Sequence, residues 1–151
     1  MFFKEYRMRR TFKPILKFAK TDIIDPPAKY GHVFVFGSNL MGEHVGGAAK
    51  YAKEKFHAQT GVGEGPTGGA YAIPTVDFNW NPIDIEHIKY FVAKFLNEAR
   101  ANPKVKYHLT PIGCGLAGHW VGNIAPLFIE APKNVILPRQ FLKPLYKKYF
   151  G

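Results

Sequence analysis

At 151 residues the chain has the length of one ordinary domain, and its 46% hydrophobic and 21% charged composition belongs to a globular protein rather than a disordered one. The single cysteine, Cys114, excludes an internal disulfide and a cysteine-based metal cluster; no apolar run approaches the roughly 20 residues of a membrane span, so a cytoplasmic setting without a membrane partner is expected. Lysine and arginine number 21 against 11 acidic residues, and a formal charge of +10 attracts anions, either nucleic acid or a small negatively charged ligand.

Residues 1–20 read as a basic extension, in which Lys4, Arg7, Arg9, Arg10, Lys13, Lys17 and Lys20 are interleaved with Phe2, Phe3, Tyr6 and Phe12. Such aromatics are able to stack on exposed bases. Residues 21–151 read as one α/β domain, without repeats or linkers. Asp25-Pro26-Pro27 breaks the chain ahead of His32–Phe36, a continuous apolar run that predicts a strand buried on both faces and ending at Gly37.

Gly46 to about Phe56 predicts a helix with a small face of Ala48, Ala49 and Ala52, and with Lys50, Lys53 and Lys55 toward solvent. Gly61–Gly69 follows as a glycine-rich loop, a lid or a backbone cradle, and Gly69–Thr75 as a strand stopped by Pro74. The clearest helix covers 82–100, with Asn81 as its N-cap and Pro82 at its first position. Ile85, Ile88, Val92, Phe95, Leu96 and Ala99 form its buried stripe, and Asn102-Pro103 ends it. Val105–Ile112 is a third strand. A helix near Asn123–Ala131, a strand at Asn134–Leu137 and a short basic helix from Phe141, carrying Lys143, Lys147 and Lys148, complete the chain. This alternation predicts a layered α/β fold with a largely parallel sheet, whose ligand sites lie at the carboxyl ends of the strands.

Glycines cluster at those ends. The first loop, GSNLMGEHVGG (37–47), joins a strand to a helix whose free N–H groups and positive dipole end favour an anion. It is neither a Walker loop nor a G-x-G-x-x-G fingerprint. The third loop, Thr110–Trp120, again leaves a strand through glycines and carries Cys114. As a nucleophile Cys114 would need His119 or His108 as its base; no pattern couples them, and the thiol reads as a small group packed beside the ligand. His32, His57 and His87 read as surface or structural, Asp77 and Asp84 as capping residues. No spacing resembles a metal site, and no cofactor is expected. Trp80 and Trp120 have the chemistry to stack on a base, although isolated tryptophans are more often core or rim.

The segments FGSNLMGEHVGGAAKYA (36–52), GPTGGAYAIPT (65–75), TPIGCGLAG (110–118), IAPLF (124–128) and NVILP (134–138) together resemble the macro domain, an ADP-ribose-binding module, and in particular the short macro-like proteins of bacteriophages. The resemblance spans roughly residues 20–140. It implies a three-layer α/β/α fold with a mixed, largely parallel sheet. It also implies binding of ADP-ribose or a related diphosphate-bearing nucleotide, free or attached to a macromolecule, in a cleft made by the three glycine-rich loops. By position, Asn39 would contact the distal ribose, and Gly46 and Gly47 would lie near the diphosphate. Gly113, Gly115, Leu116, Ala117 and Gly118 would wrap the diphosphate and ribose, and Asp22, or Asp25 in its place, would bind the adenine amino group. Gly37, Ser38, Ala48 and Cys114 stand in the same loops and join the binding candidates.

Some members of the family hydrolyse ADP-ribosyl groups with an activated water. On that mechanism Asn39 would orient the ribose and Glu43 or His44 would move the proton; otherwise those two side chains narrow the pocket or face solvent. The competing expectations are nucleic-acid binding through the basic termini and sequestration of a nucleotide without chemistry. The setting expected for a chain of phage origin is the host cytoplasm.

Overall fold

A computed structural model describes residues 31–150, with side chains as far as Tyr146. The basic extension 1–20, the Asp25-Pro26-Pro27 break and the candidates Asp22 and Asp25 lie outside the described residues.

The elements run β1 (His32–Asn39), α1 (Gly47–Phe56), β2 (Gly65–Thr67), β3 (Ala70–Val76), α2 (Ile85–Ala101), β4 (Lys106–Leu109), α3 (Val121–Ile124), β5 (Val135–Ile136) and α4 (Leu142–Phe150). A 3-10 turn, Ala125–Phe128, continues α3, and another, Arg139–Phe141, leads into α4. The sheet order is β2-β3-β1-β4-β5, parallel throughout except for the antiparallel edge strand β2.

Alternation along β1 and β3 sorts the core into two layers. Phe34 and Phe36 of β1, with Ala70 and Ala72 of β3, face Ala52 and Phe56 of α1. Val35, Tyr71 and Ile73, the residues between them, face α2, Phe128 and Leu145 on the other side. The sheet is therefore the middle of three layers. Small residues on α1 and β3 leave room for Phe34 to stack on Phe56, with ring centroids 4.7 Å apart and planes 8° from parallel. On the opposite face Phe95 is fully buried and meets Tyr71 and Tyr107 edge-on at 5.0 and 5.5 Å. No helix among the described residues is long and apolar enough to cross a membrane.

Several boundaries differ from the sequence expectation, each for a local reason. β1 runs on through Asn39, and β3 runs past Pro74 to Val76. The missing proline N–H is accommodated by a register shift between Ser38 and Asn39, after which Leu40 N–H donates to the Val76 carbonyl at 3.0 Å. Helix α2 starts at Ile85 and is capped by Asp84, whose carboxylate accepts from the His87 N–H at 2.9 Å. Asn81 does not cap it, because Asp77 draws the Asn81 N–H into a preceding turn at 2.9 Å. β4 stops at Leu109 rather than Ile112. The helix expected at Asn123–Ala131 begins earlier and tightens to a 3-10 turn at Pro126. β2 lies inside the loop 61–69, where three residues, Gly-Pro-Thr, carry no readable period and Pro66 is tolerated on an edge.

Candidate functional site

The carboxyl ends of β1, β3 and β4 open into one cleft of about 670 Å³. Of the sequence candidates, Gly37, Ser38, Asn39, His44, Gly46, Gly47, Ala48, Gly113, Cys114, Gly115, Leu116 and Ala117 line it. Glu43 and Gly118 belong to the same loops but are not among the lining residues. Among the described residues, none that lines the cleft is Asp, Glu, Lys or Arg.

The first loop is shaped by Asn39. Its side-chain Oδ1 accepts from the Glu43 N–H at 3.0 Å, and its carbonyl accepts from Gly42 at 3.1 Å. That anchoring fixes the amide. Its Nδ2 is buried and has no hydrogen-bond partner among the described residues. A buried donor left without a partner costs roughly 1–3 kcal/mol, so its presence at a cleft wall marks a place where a ligand acceptor would be stabilising.

His44 sits at φ 51°, in the left-handed region, with its ring buried edge-on against Phe36 at 5.1 Å. Its Nε2 lies 3.1 Å from the Gln59 carbonyl. Burial pushes its pKa below the usual histidine value, while the Gln59 and Val62 carbonyls pull it the other way. The neutral ring thus donates Nε2–H to Gln59 and ties the first loop to the chain behind it.

The loop 61–69 contributes no lining residue, so the expected third wall is absent. It stands behind the first loop as a buttress. Ser38 donates its hydroxyl to the Gly63 carbonyl, and Gly61 N–H donates to the Gly42 carbonyl at 2.9 Å. The two loops touch so closely that a Cβ on Gly42 would lie 2.5 Å from the Val62 nitrogen, and one on Gly63 would meet the Asn39 carbonyl. Glycine is required there by backbone approach within the protein. The side of the cleft left to it is taken instead by Thr75, Val76 and Trp80, at and beyond the end of β3. Trp80 carried a sequence signal, the Asp77 turn that presents it; Gln140, which also lines the cleft, carried none.

The other long wall is the loop 110–120. Gly118 N–H donates to the Gly115 carbonyl at 2.9 Å and His119 N–H to the Gly113 carbonyl at 2.8 Å, folding the loop on itself. His119 Nε2 lies 2.7 Å from the Ile83 carbonyl, which occupies it structurally. His108 is buried on β4, its Nε2 2.7 Å from Nδ1 of His32, and does not line the cleft. Cys114 is half-buried, its thiol 3.4 Å from the Ile112 carbonyl, and burial pushes its pKa up. That shift disfavours the thiolate.

Opposite this loop, α1 begins at Gly47 with Gly46 as its N-cap. No side chain caps it, and its first turn holds no acidic residue. Its first N–H groups therefore point into the cleft end of the fold with a positive dipole behind them. No protein-family model matches the chain, and no curated protein or solved structure matches it.

Proposed function

We propose that the protein binds ADP-ribose, or a close relative carrying a diphosphate and a nucleoside, in the cleft between α1 and the loop 110–120. The observation that carries this reading is a pair of glycines, Gly46 and Gly115. Gly46 has an extended backbone, φ −156°, that any residue adopts, and a Cβ on either glycine would have nothing within 4 Å. Both line the cleft, one from each wall. Neither backbone conformation nor internal packing calls for glycine at Gly46, and packing does not call for it at Gly115. A ligand lying close against the main chain does.

The chemistry of the walls fits a diphosphate held by backbone. Uncapped N–H groups at the start of α1 supply donors and a favourable dipole without a basic side chain. Asn39 offers its unpartnered Nδ2 to a hydroxyl or carbonyl oxygen, such as those of a ribose. The net charge of +10 raises the local concentration of such an anion. Resemblance to macro domains at these two loops names the ligand within that class.

The proposal is one of binding. Among the described residues the titratable side chains of the lining are His44, whose Nε2 is held by Gln59 and whose Nδ1 has no partner, and Cys114, a thiol whose pKa burial raises. Calorimetry on the full chain with ADP-ribose, with ADP and NAD as comparisons, tests the reading. ADP-ribose is expected to give a saturable heat, and no heat with any of the three would overturn it.

A further inference from the structure

The mouth of the cleft carries large apolar side chains that the fold leaves in solvent. Val45, Trp80 and Leu116 line it from three separate segments and are 66%, 43% and 79% exposed. Trp80 belongs to neither hydrophobic cluster of the core. Its backbone is nonetheless fixed in a tight turn. The Asp77 carboxylate accepts from Asn79 and Asn81 N–H at 2.8 and 2.9 Å, and Asp77 N–H donates to the Asn81 carbonyl at 2.8 Å.

That turn forces Trp80 to φ 63°, a left-handed conformation that bulky side chains rarely adopt. Strain that presents a half-exposed indole at a cleft wall is not accounted for by core packing, but is accounted for by a ligand group that the indole contacts. The group is constrained by its surroundings. With Val45 and Leu116 lining the same cleft and no charged side chain in its lining among the described residues, the mouth suits an uncharged planar ring.

We propose that Trp80 is the specificity-determining residue of the cleft, a platform on which the nucleobase of the ligand stacks, with Val45 and Leu116 as further exposed apolar lining. The inference rests on the diphosphate-nucleotide reading of the cleft and assigns its nucleobase end. It separates nucleotides from sugar phosphates, which share the phosphate donors and lack the ring.

The test uses the full chain and three probes: ADP-ribose, ribose 5-phosphate and inorganic pyrophosphate. Because the protein has two tryptophans, Trp120→Phe leaves Trp80 as the sole indole. In that variant ADP-ribose is expected to change the Trp80 emission, and the other two probes are not. By calorimetry Trp80→Ala is expected to lose about 5- to 150-fold in ADP-ribose affinity, the range of one base–aromatic stack, with pyrophosphate affinity unchanged and Trp80→Phe retaining most of the binding. Should Trp80→Ala fail to fold, the emission of Trp120→Phe still decides. Wild-type ADP-ribose affinity in Trp80→Ala, or binding to Trp120→Phe without a change in emission, would overturn the platform and leave the cleft reading intact. Absence of ADP-ribose binding by the wild type would overturn both.

Discussion

The side-chain oxygen of Asn39 accepts from the Glu43 N–H at 3.0 Å, so the residue that ends β1 also sets the shape of the loop that follows it. The same amide keeps its Nδ2 buried and without a hydrogen-bond partner among the described residues. Its two halves therefore have separable jobs, and substitutions are expected to separate them. Asn39→Asp keeps an acceptor for Glu43, so the turn should persist, but its second carboxylate oxygen takes the buried place of the unpartnered Nδ2 and should destabilise the fold by more than the worth of an ordinary hydrogen bond. It loses both donors and adds a negative charge beside an anion site, so ADP-ribose affinity should fall by tenfold or more. Asn39→Ala should lose loop stability and affinity together. Thermal melts paired with calorimetry read both, and an Asn39→Asp protein that binds like the wild type would show that Nδ2 does not contact the ligand.

Glycines that line the cleft and a glycine packed behind it should respond oppositely. Gly115→Ala meets no atom within 4 Å and is expected to leave stability within about 0.5 kcal/mol, as surface changes do. Gly46→Ala adds only the modest cost of a poorer N-cap, about 1 kcal/mol at most. Both place a methyl group in the cleft and should weaken nucleotide binding. Gly42→Ala, at φ 69° with Val62 backbone in the way, should instead destabilise the fold. Denaturant melts and calorimetry on the three variants distinguish the two kinds of glycine.

That contrast explains what was legible in the sequence and what was not. Periodicity exposed the buried stripe Ile88, Val92, Phe95, Leu96 and Ala99 and the apolar run of β1, because each pattern repeats the geometry of its element. Strand ends followed by glycines exposed the two loops that face each other across the cleft. The loop 61–69 has the same composition as those two, yet it packs behind one of them. Glycine density reports close approach to a backbone without saying whether a ligand or another loop approaches. Gly63 and Gly115 differ only in three dimensions. The start of α2 was ambiguous for a similar reason: Asn81 and Asp84 are both competent caps, and the tertiary turn at Asp77 decides between them.

Acid should destabilise the protein through a buried histidine that does not line the cleft. Burial, helped by His32 and Lys106, lowers the His108 pKa from 6.5 to about 4. Above 6.5 both folded and unfolded chains hold this ring neutral, and its contribution is constant. As the pH falls from 6.5 toward 4 the unfolded chain takes up a proton that the folded chain refuses, and stability is lost. A displacement of this size corresponds to roughly 3 kcal/mol across the window. The buried His44, also lowered, adds to the loss with the same sign. Urea melts between pH 7.5 and 4.5 should show the decline, and His108→Gln should flatten it even if it lowers stability at neutral pH. An unchanged slope in His108→Gln would assign the acid sensitivity to other groups.

Cys114 offers a direct view of cleft occupancy, since it is the only thiol in the chain and lines the cleft. Burial holds its pKa above the ordinary thiol value, so the thiolate is scarce at neutral pH. Alkylation by iodoacetamide is expected to be slower than that of a free cysteine at pH 7 and to rise steeply as the pH is raised. A nucleotide seated between α1 and the loop 110–120 covers the sulfur, so ADP-ribose should slow alkylation further in proportion to site occupancy. Cys114→Ser should bind ADP-ribose within a few-fold of the wild type, because the thiol donates to the Ile112 carbonyl and a hydroxyl is able to do the same. Fast alkylation at pH 7 that ADP-ribose leaves unaltered would place the ligand elsewhere and give Cys114 the reactive character denied to it here. Mass spectrometry of the intact protein over a time course, with and without ADP-ribose, separates these outcomes.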